Sequence, residues 1–184
     1  MKFEDAPIEG LKIVTMEPVR DDRGHFARSY CIEEFAKVGI DYKILQCNQS
    51  FNHKKGTIRG MHWQNEPHQE TKFMSCSQGR IFDVAVDLRK DSPTYLQWFG
   101  IELTDRQDTM LYVPQGFAHG YQTLTDNAMA VYSVGVTYHP ESADGMRHDD
   151  PAVGIDWPIK EAILSDRDRQ WPLLDSTGER PVSA

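Results

Sequence analysis

The sequence predicts a mainly β fold, an antiparallel barrel or sandwich with short peripheral helices, on three observations. Strand-like runs follow one another at 42–51, 57–64, 71–77, 80–88, 95–103, 109–113, 118–124 and 128–138. Turn-forming clusters separate them, among them Gln78-Gly79, Lys90-Asp91-Ser92-Pro93, Thr104-Asp105-Arg106-Gln107-Asp108 and Thr125-Asp126-Asn127. No long helical pattern interrupts the series, and short strands at near-regular spacing without crossover helices argue against a parallel sheet.

Taken in order, residues 11–18 (Leu-Lys-Ile-Val-Thr-Met-Glu-Pro) read as a strand closed by Pro18. Asp21-Asp22-Arg23-Gly24 forms a turn, and residues 25–30 resume the alternation. Glu33, Glu34, Phe35, Ala36 and Lys37 form a short helix that stops at Gly39. The barrel core then spans 42–138. Within 128–138 the even positions Ala128, Ala130, Tyr132, Val134, Val136 and Tyr138 share one face. Within 80–88 Asp83 shares a face with Ile81 and Ala85, and that face is either solvated or interior. Pro140, Pro151, Pro158 and Pro172 break up the rest. They leave a 139–184 tail of loops, with a short helix near 159–164, that packs back onto the barrel. The expectation is one domain over 1–184.

Composition narrows the function. A 184-residue chain that is 39% hydrophobic suits a single domain with a real core. The formal charge is -8 and no Lys/Arg run exceeds Lys54-Lys55, so nothing tracks a phosphate backbone and nucleic acid is not an expected partner. Any anionic substrate must be met by a local basic cluster. Cys31, Cys47 and Cys76 are odd in number and lack a CxxC spacing, which fits a reducing compartment. With no stretch of 18 apolar residues and no leader-like opening, the chain reads as soluble and cytoplasmic, with no membrane partner.

The stretch Gly56-Thr57-Ile58-Arg59-Gly60-Met61-His62-Trp63-Gln64, with Thr71-Lys72-Phe73-Met74 after it, brings an arginine, a histidine and a lysine onto neighbouring strands. Such groups cost desolvation when crowded together unless something anionic lies between them. Arg59 and His62 differ by an odd number, so a regular strand would point them apart; a bulge at Gly60 would bring them to one side.

Val113-Pro114-Gln115-Gly116-Phe117-Ala118-His119-Gly120 resembles the second half of the cupin signature. Where metal cupins carry a His-x-His pair, this chain reads His62-Trp63-Gln64, with a single histidine, so no metal is expected. Six ordered motifs run from about residue 5 to Leu174. They are Asp22-Arg23-Gly24, Arg59-Gly60-Met61-His62, Phe82-Asp83-Val84-Ala85-Val86-Asp87-Leu88-Arg89, Ser92-Pro93-Thr94, Gly116-Phe117-Ala118-His119-Gly120 and Gly154-Ile155-Asp156-Trp157-Pro158. Together they resemble the dTDP-4-dehydrorhamnose 3,5-epimerase family.

That resemblance implies a cupin-type jelly roll and a homodimer with a shared active site. It also implies epimerisation beside the 4-keto group of a nucleotide-diphosphate sugar, without cofactor or metal. It makes His62 the base, Asp168 its orienting partner, Tyr132 the acid on the opposite face, and Lys72 the stabiliser of charge on the C4 oxygen. Arg59 and His119 would line the sugar-phosphate region, with Gln46, Asn48 and Tyr138 toward the nucleotide. Arg23 and Phe26 would reach in from the other subunit. Ser133 stands where a lysine is usual, Arg28 where a glutamate is expected and Gln49 where a histidine is common. The alternatives are therefore epimerisation at C3 only, another nucleotide-linked 4-keto sugar, or a non-catalytic nucleotide-sugar-binding cupin.

The chemistry asks for the same residue types. A proton beside a ketone is removable only if the developing enolate is stabilised, and a single well-aimed donor contributes about 3–4 kcal/mol. Inversion needs removal on one face and return on the other. Histidine titrates near neutrality and suits removal, an aspartate on its far nitrogen fixes the tautomer, and tyrosine suits return.

Overall fold

Residues 1–175 are described by a computed structural model. Two short N-terminal strands, β1 (Lys2–Asp5) and β2 (Lys12–Thr15), precede a hairpin of β3 (Val19–Asp21) and β4 (Gly24–Phe26) and the helix α1 (Ile32–Lys37). Next come β5 (Gln46–Asn52), β6 (Ile58–Gln64), β7 (Lys72–Gln78), β8 (Arg80–Asp87) and β9 (Trp98–Thr104). The chain continues through β10 (Thr109–Val113), β11 (Phe117–Thr123), β12 (Ala128–Val134), β13 (Ala143–Gly145) and α2 (Asp166–Gln170).

From β5 to β12 successive strands cross repeatedly between two antiparallel sheets. One has the order β1-β2-β10-β7-β12-β5 and the other β13-β6-β11-β8-β9, with the β3–β4 hairpin separate. This is the jelly-roll expectation, realised as two facing sheets rather than a ring closed by hydrogen bonds. The sheets draw on more than 42–138, because β2 pairs with β10 through Thr109↔Thr15 and Leu111↔Ile13, and β1 pairs with β2.

Period-2 alternation explains the layers. On β7 Met74 turns between the sheets, against Leu11, Ile81, Ala85, Leu103, Leu111 and Ala130. Its neighbour Phe73 turns outward, where Phe35 of α1, Tyr42 and Tyr112 pack on it. The outer face of the second sheet carries Ile58, Val84, Val86 and Ala118, with Trp157, Leu164 and Leu174 of the C-terminal segment against them. Each fully buried aliphatic or aromatic side chain contributes about 1.5–3 kcal/mol. Asp83 belongs to the interior: it is 0% exposed, which removes the solvated-face alternative.

Some boundaries move for local reasons. Residues 42–45 precede β5 because Tyr42 is drawn into the outer aromatic cluster. β9 starts at Trp98 because the chain turns at 94–97, with Leu96 at φ +62°. The helix expected near 159–164 is instead α2. Ile159 and Ile163 spend their backbone groups on Gln122 and Gly56, and Ser165 caps the helix by accepting from Asp168 N at 3.1 Å. Leu164 and Leu174 pack against the second sheet, whereas Ile163 and Leu173 stay exposed. The part of the expected 139–184 tail beyond Asp175 lies outside the described residues.

Candidate active site

Between the strand pairs Arg59↔Tyr121 and His62↔His119, β6 has two residues, Gly60 and Met61, and β11 only Gly120. This two-for-one count is the bulge the parity argument required, and it turns Arg59 and His62 into one cavity. Gly60 has φ +119°, and a Cβ there would meet Gly120 Cα and His119 O at 2.7 Å, so no other residue fits.

Two adjoining cavities of about 320 and 390 Å³ share His62, Lys72, Tyr132 and Arg167 and so form one cleft. The first lobe adds Gln46, Asn48, Tyr138, Trp63 and Glu70. The second adds Arg59, His119, Gln49, Ser50 and Asp168. Tyr132, Val134, Val136 and Tyr138 all line the first lobe, so the even face of the run holds beyond the end of β12.

His62 Nε2 lies 2.6 Å from Asp168 Oδ1. A carboxylate there accepts the Nε2 proton and leaves Nδ1 with its lone pair available. Burial pushes the Asp168 carboxyl up, but hydrogen bonds from His62, Ser165 and Trp171 outweigh it and hold the group below the usual carboxylate range. Lys72 is 8% exposed and ion-pairs with Glu70. Burial lowers its pKa, and Glu70 and Asp83 oppose that shift. Burial raises the Tyr132 phenol, which keeps its proton.

His119 Nε2 meets Asp83 Oδ1 at 2.9 Å, forming a second and wholly buried histidine–aspartate pair, while Asp83 Oδ2 has no partner. Arg59 donates from Nε to Asn52 Oδ1 at 2.7 Å, and Gln46 Nε2 donates to Asn48 Oδ1 at 2.8 Å.

Arg23 and Phe26 are not brought to the cleft of their own chain. They sit on the exposed β3–β4 hairpin, with Phe26 75% exposed and Arg23 paired to Asp21. Sequence reasoning missed Arg167, which lines both lobes, and Glu70 as the partner of Lys72. Their signals were the Arg next to Asp168 and the Glu two residues before Lys72.

Two of the unusual positions lie away from the cleft. Ser133 is on the odd face of β12 and bonds Tyr42 Oη at 2.8 Å. Arg28 pairs with Glu34 at 2.6 Å. Gln49 does line the second lobe.

His68, His139 and Glu141 cluster outside both lobes, with the imidazoles stacked at 3.6 Å and 6°. Parallel rings send their in-plane lone pairs side by side, whereas an ion about 2 Å from each nitrogen needs them to converge. No described helix is long and apolar enough to cross a membrane.

A two-sheet jelly roll whose cleft joins a histidine–aspartate pair, a buried lysine and a half-buried tyrosine has the architecture of a cupin-type epimerase. The model of the dTDP-4-dehydrorhamnose 3,5-epimerase family matches residues 5–176. A dTDP-4-dehydrorhamnose 3,5-epimerase of Methanothermobacter thermautotrophicus is 38% identical over 98% of this chain and 97% of that protein. A dTDP-4-dehydrorhamnose 3-epimerase of Streptomyces niveus is 36% identical over 95% of this chain and 84% of that protein. The crystal structure of a 3,5-epimerase of Legionella pneumophila, in complex with dTDP-4-keto-L-rhamnose, superposes with a TM-score of 0.89 at 34% identity, covering 99% of both chains. The chain belongs to the dTDP-4-dehydrorhamnose 3,5-epimerase family.

Proposed function

We propose that the protein inverts C3 and C5 of dTDP-4-keto-6-deoxyglucose, giving dTDP-4-keto-L-rhamnose, with side chains alone doing the chemistry. One observation carries this reading: His62 with Asp168, Lys72 and Tyr132 converge on a single cleft. His62 takes the proton beside C4 through Nδ1. The Lys72 ammonium receives the charge that develops on the C4 oxygen. Tyr132, which burial keeps protonated, returns a proton from the other face. Arg59 and His119 hold the sugar-phosphate part, and Arg167 joins them as a third basic group. Gln46, Asn48 and Tyr138 hold the nucleotide.

The exposed hairpin supports a homodimer in which Arg23 and Phe26 complete the site of the partner: Phe26 lies opposite Val19 on the hairpin, and both are more than 70% exposed, an apolar pair for a second copy to cover. The cytoplasm suits three free cysteines and a nucleotide-linked substrate. A second reading, inversion at C3 alone, is favoured by the likeness to the S. niveus 3-epimerase.

Solvent deuterium tests all of this. In D₂O the wild type is expected to place label at both C3 and C5 of dTDP-4-keto-6-deoxyglucose, and His62→Ala at neither. Tyr132→Phe is expected to exchange the proton yet fail to invert the centre. Label at C3 alone would select the 3-epimerase. Label only with another nucleotide's 4-keto sugar would change the substrate and keep the chemistry. Exchange with no 4-keto nucleotide sugar would leave a binding module.

A further inference from the structure

Lys72 is the group whose charge state the proposed reaction depends on most, and its surroundings work against that charge. The side chain is buried, and burial alone drives it toward the neutral amine. A neutral amine lacks the positive charge that holds an enolate. The charged groups facing it come from every side of the cleft. Glu70 stands just before β7, Arg59 and His62 on β6, Asp83 on β8, His119 and Tyr121 on β11, Tyr132 on β12, Asp144 on β13, and Arg167 and Asp168 on α2. Of the carboxylates, Asp168 is engaged by His62 and Asp144 accepts from Asn65 and from Gly145 N, which leaves Glu70 and Asp83 to oppose the effect of burial on Lys72. Asp83 already spends one oxygen on His119, and its other oxygen is buried and unpartnered. Glu70 is in direct hydrogen-bond contact with Lys72 Nζ, lines the same lobe, and is itself largely buried.

We propose that Glu70 is a positioning residue for Lys72, whose carboxylate holds the ammonium charged and aimed into the cleft, ready to receive the C4 oxygen. This rests on the epimerase reading for its purpose, but not for its test. In the resting enzyme the Glu70 carboxylate occupies one donor of Lys72. An ammonium has three, so the ketone oxygen can take another without breaking the pair. Glutamine at this position would keep the shape and an acceptor but remove the charge. Lys72 would then lose its proton at lower pH, and the basic limb of the rate profile would move down with it.

The experiment titrates Lys72 directly. Protein carrying carbon-13 at the lysine ε position is followed by NMR as pH rises, with Lys72→Met identifying the resonance. In Glu70→Gln the Lys72 resonance is expected to titrate at lower pH than in the wild type, and in Glu70→Asp between the two. An unmoved titration in Glu70→Gln overturns the proposal and leaves Asp83 as the group that holds the charge.

Kinetics give the second readout. The fall of kcat at the basic end of the profile is expected to set in at lower pH in Glu70→Gln than in the wild type, with the rates of the two converging on the acid side. A uniform loss at all pH values, with an unmoved NMR titration, is the signature of a merely structural role and also overturns the proposal. If the wild type exchanges no 4-keto nucleotide sugar, the epimerase reading fails, and the NMR titration still decides for or against the Glu70–Lys72 assignment.

Discussion

Replacing Asp168 by asparagine separates orientation from binding. The carboxylate sits 2.6 Å from His62 Nε2 and is almost wholly buried, so the variant removes a charge with little change in volume. In the proposed reaction His62 becomes an imidazolium on accepting the substrate proton, and a carboxylate partner stabilises that cation far better than an amide. Hydrogen bonds to charged groups contribute about 1.5–3 kcal/mol against about 1 for neutral ones, so this difference alone slows proton removal by roughly 3- to 30-fold. An asparagine can also turn its NH₂ toward Nε2 and enforce the wrong tautomer; in the serine-protease triad the matching change costs about 10⁴ in kcat. The expected loss in kcat for Asp168→Asn therefore lies between about 3 and 10⁴. The assay is steady-state turnover alongside dTDP affinity by calorimetry, with affinity and melting temperature expected to stay near the wild type. Turnover within threefold of the wild type, in a protein that still binds dTDP, would refute the role assigned to Asp168.

Gly60→Ala is expected to destabilise the fold by about 2–5 kcal/mol, the sum of left-handed backbone strain and overpacking against Gly120 and His119, read as a lowered midpoint in urea. A midpoint unchanged within error would count against the bulge. Asp87→Asn tests a buried network instead. Burial pushes the Asp87 carboxyl up, but hydrogen bonds from Arg89, Ser92 and Thr94 bring it down to about 2. A depressed carboxylate stabilises the fold above the unfolded value near 3.8 and loses that contribution as pH falls toward about 2. The displacement corresponds to about 2 kcal/mol, so the variant should be less stable by that order at pH 7, with the gap closing as pH falls through about 2. A gap that persists in acid would assign the loss to packing rather than to charge.

The strands were legible because alternation is a local signal: 109–113 matches β10 residue for residue, and 57–64, 71–77 and 118–124 each shift by one. The helix at Asp166–Gln170 was misplaced because its cap, Ser165, is clear only once the backbone groups of Ile159 and Ile163 are known to be taken. The Gly60 bulge could be read from parity, since Arg59 and His62 face one way only if a residue is added between them. Its fit against Gly120 could not, because that contact crosses to a strand some sixty positions on. Asp83 shows the same limit. Alternation grouped it with Ile81 and Ala85, but whether that face was wet or dry depended on the second sheet lying over it. Lys72 was legible as a cation near the chemistry; the carboxylate that meets it depended on how residues 65–71 turn back toward β7.

The two faces of β12 divide the labour of sequence change. Tyr132 and Val134 look into the cleft, while Ser133 between them looks out and bonds Tyr42 behind the sheet. A departure from the family's habit at position 133 is therefore absorbed by the outer aromatic layer and leaves the surface that lines the cleft untouched. Drift on such a strand comes in two independent streams, one read by the ligand and one only by the packing. Someone seeking to change which sugar the protein accepts would alter the even positions; someone seeking a sturdier protein has the odd ones to work with.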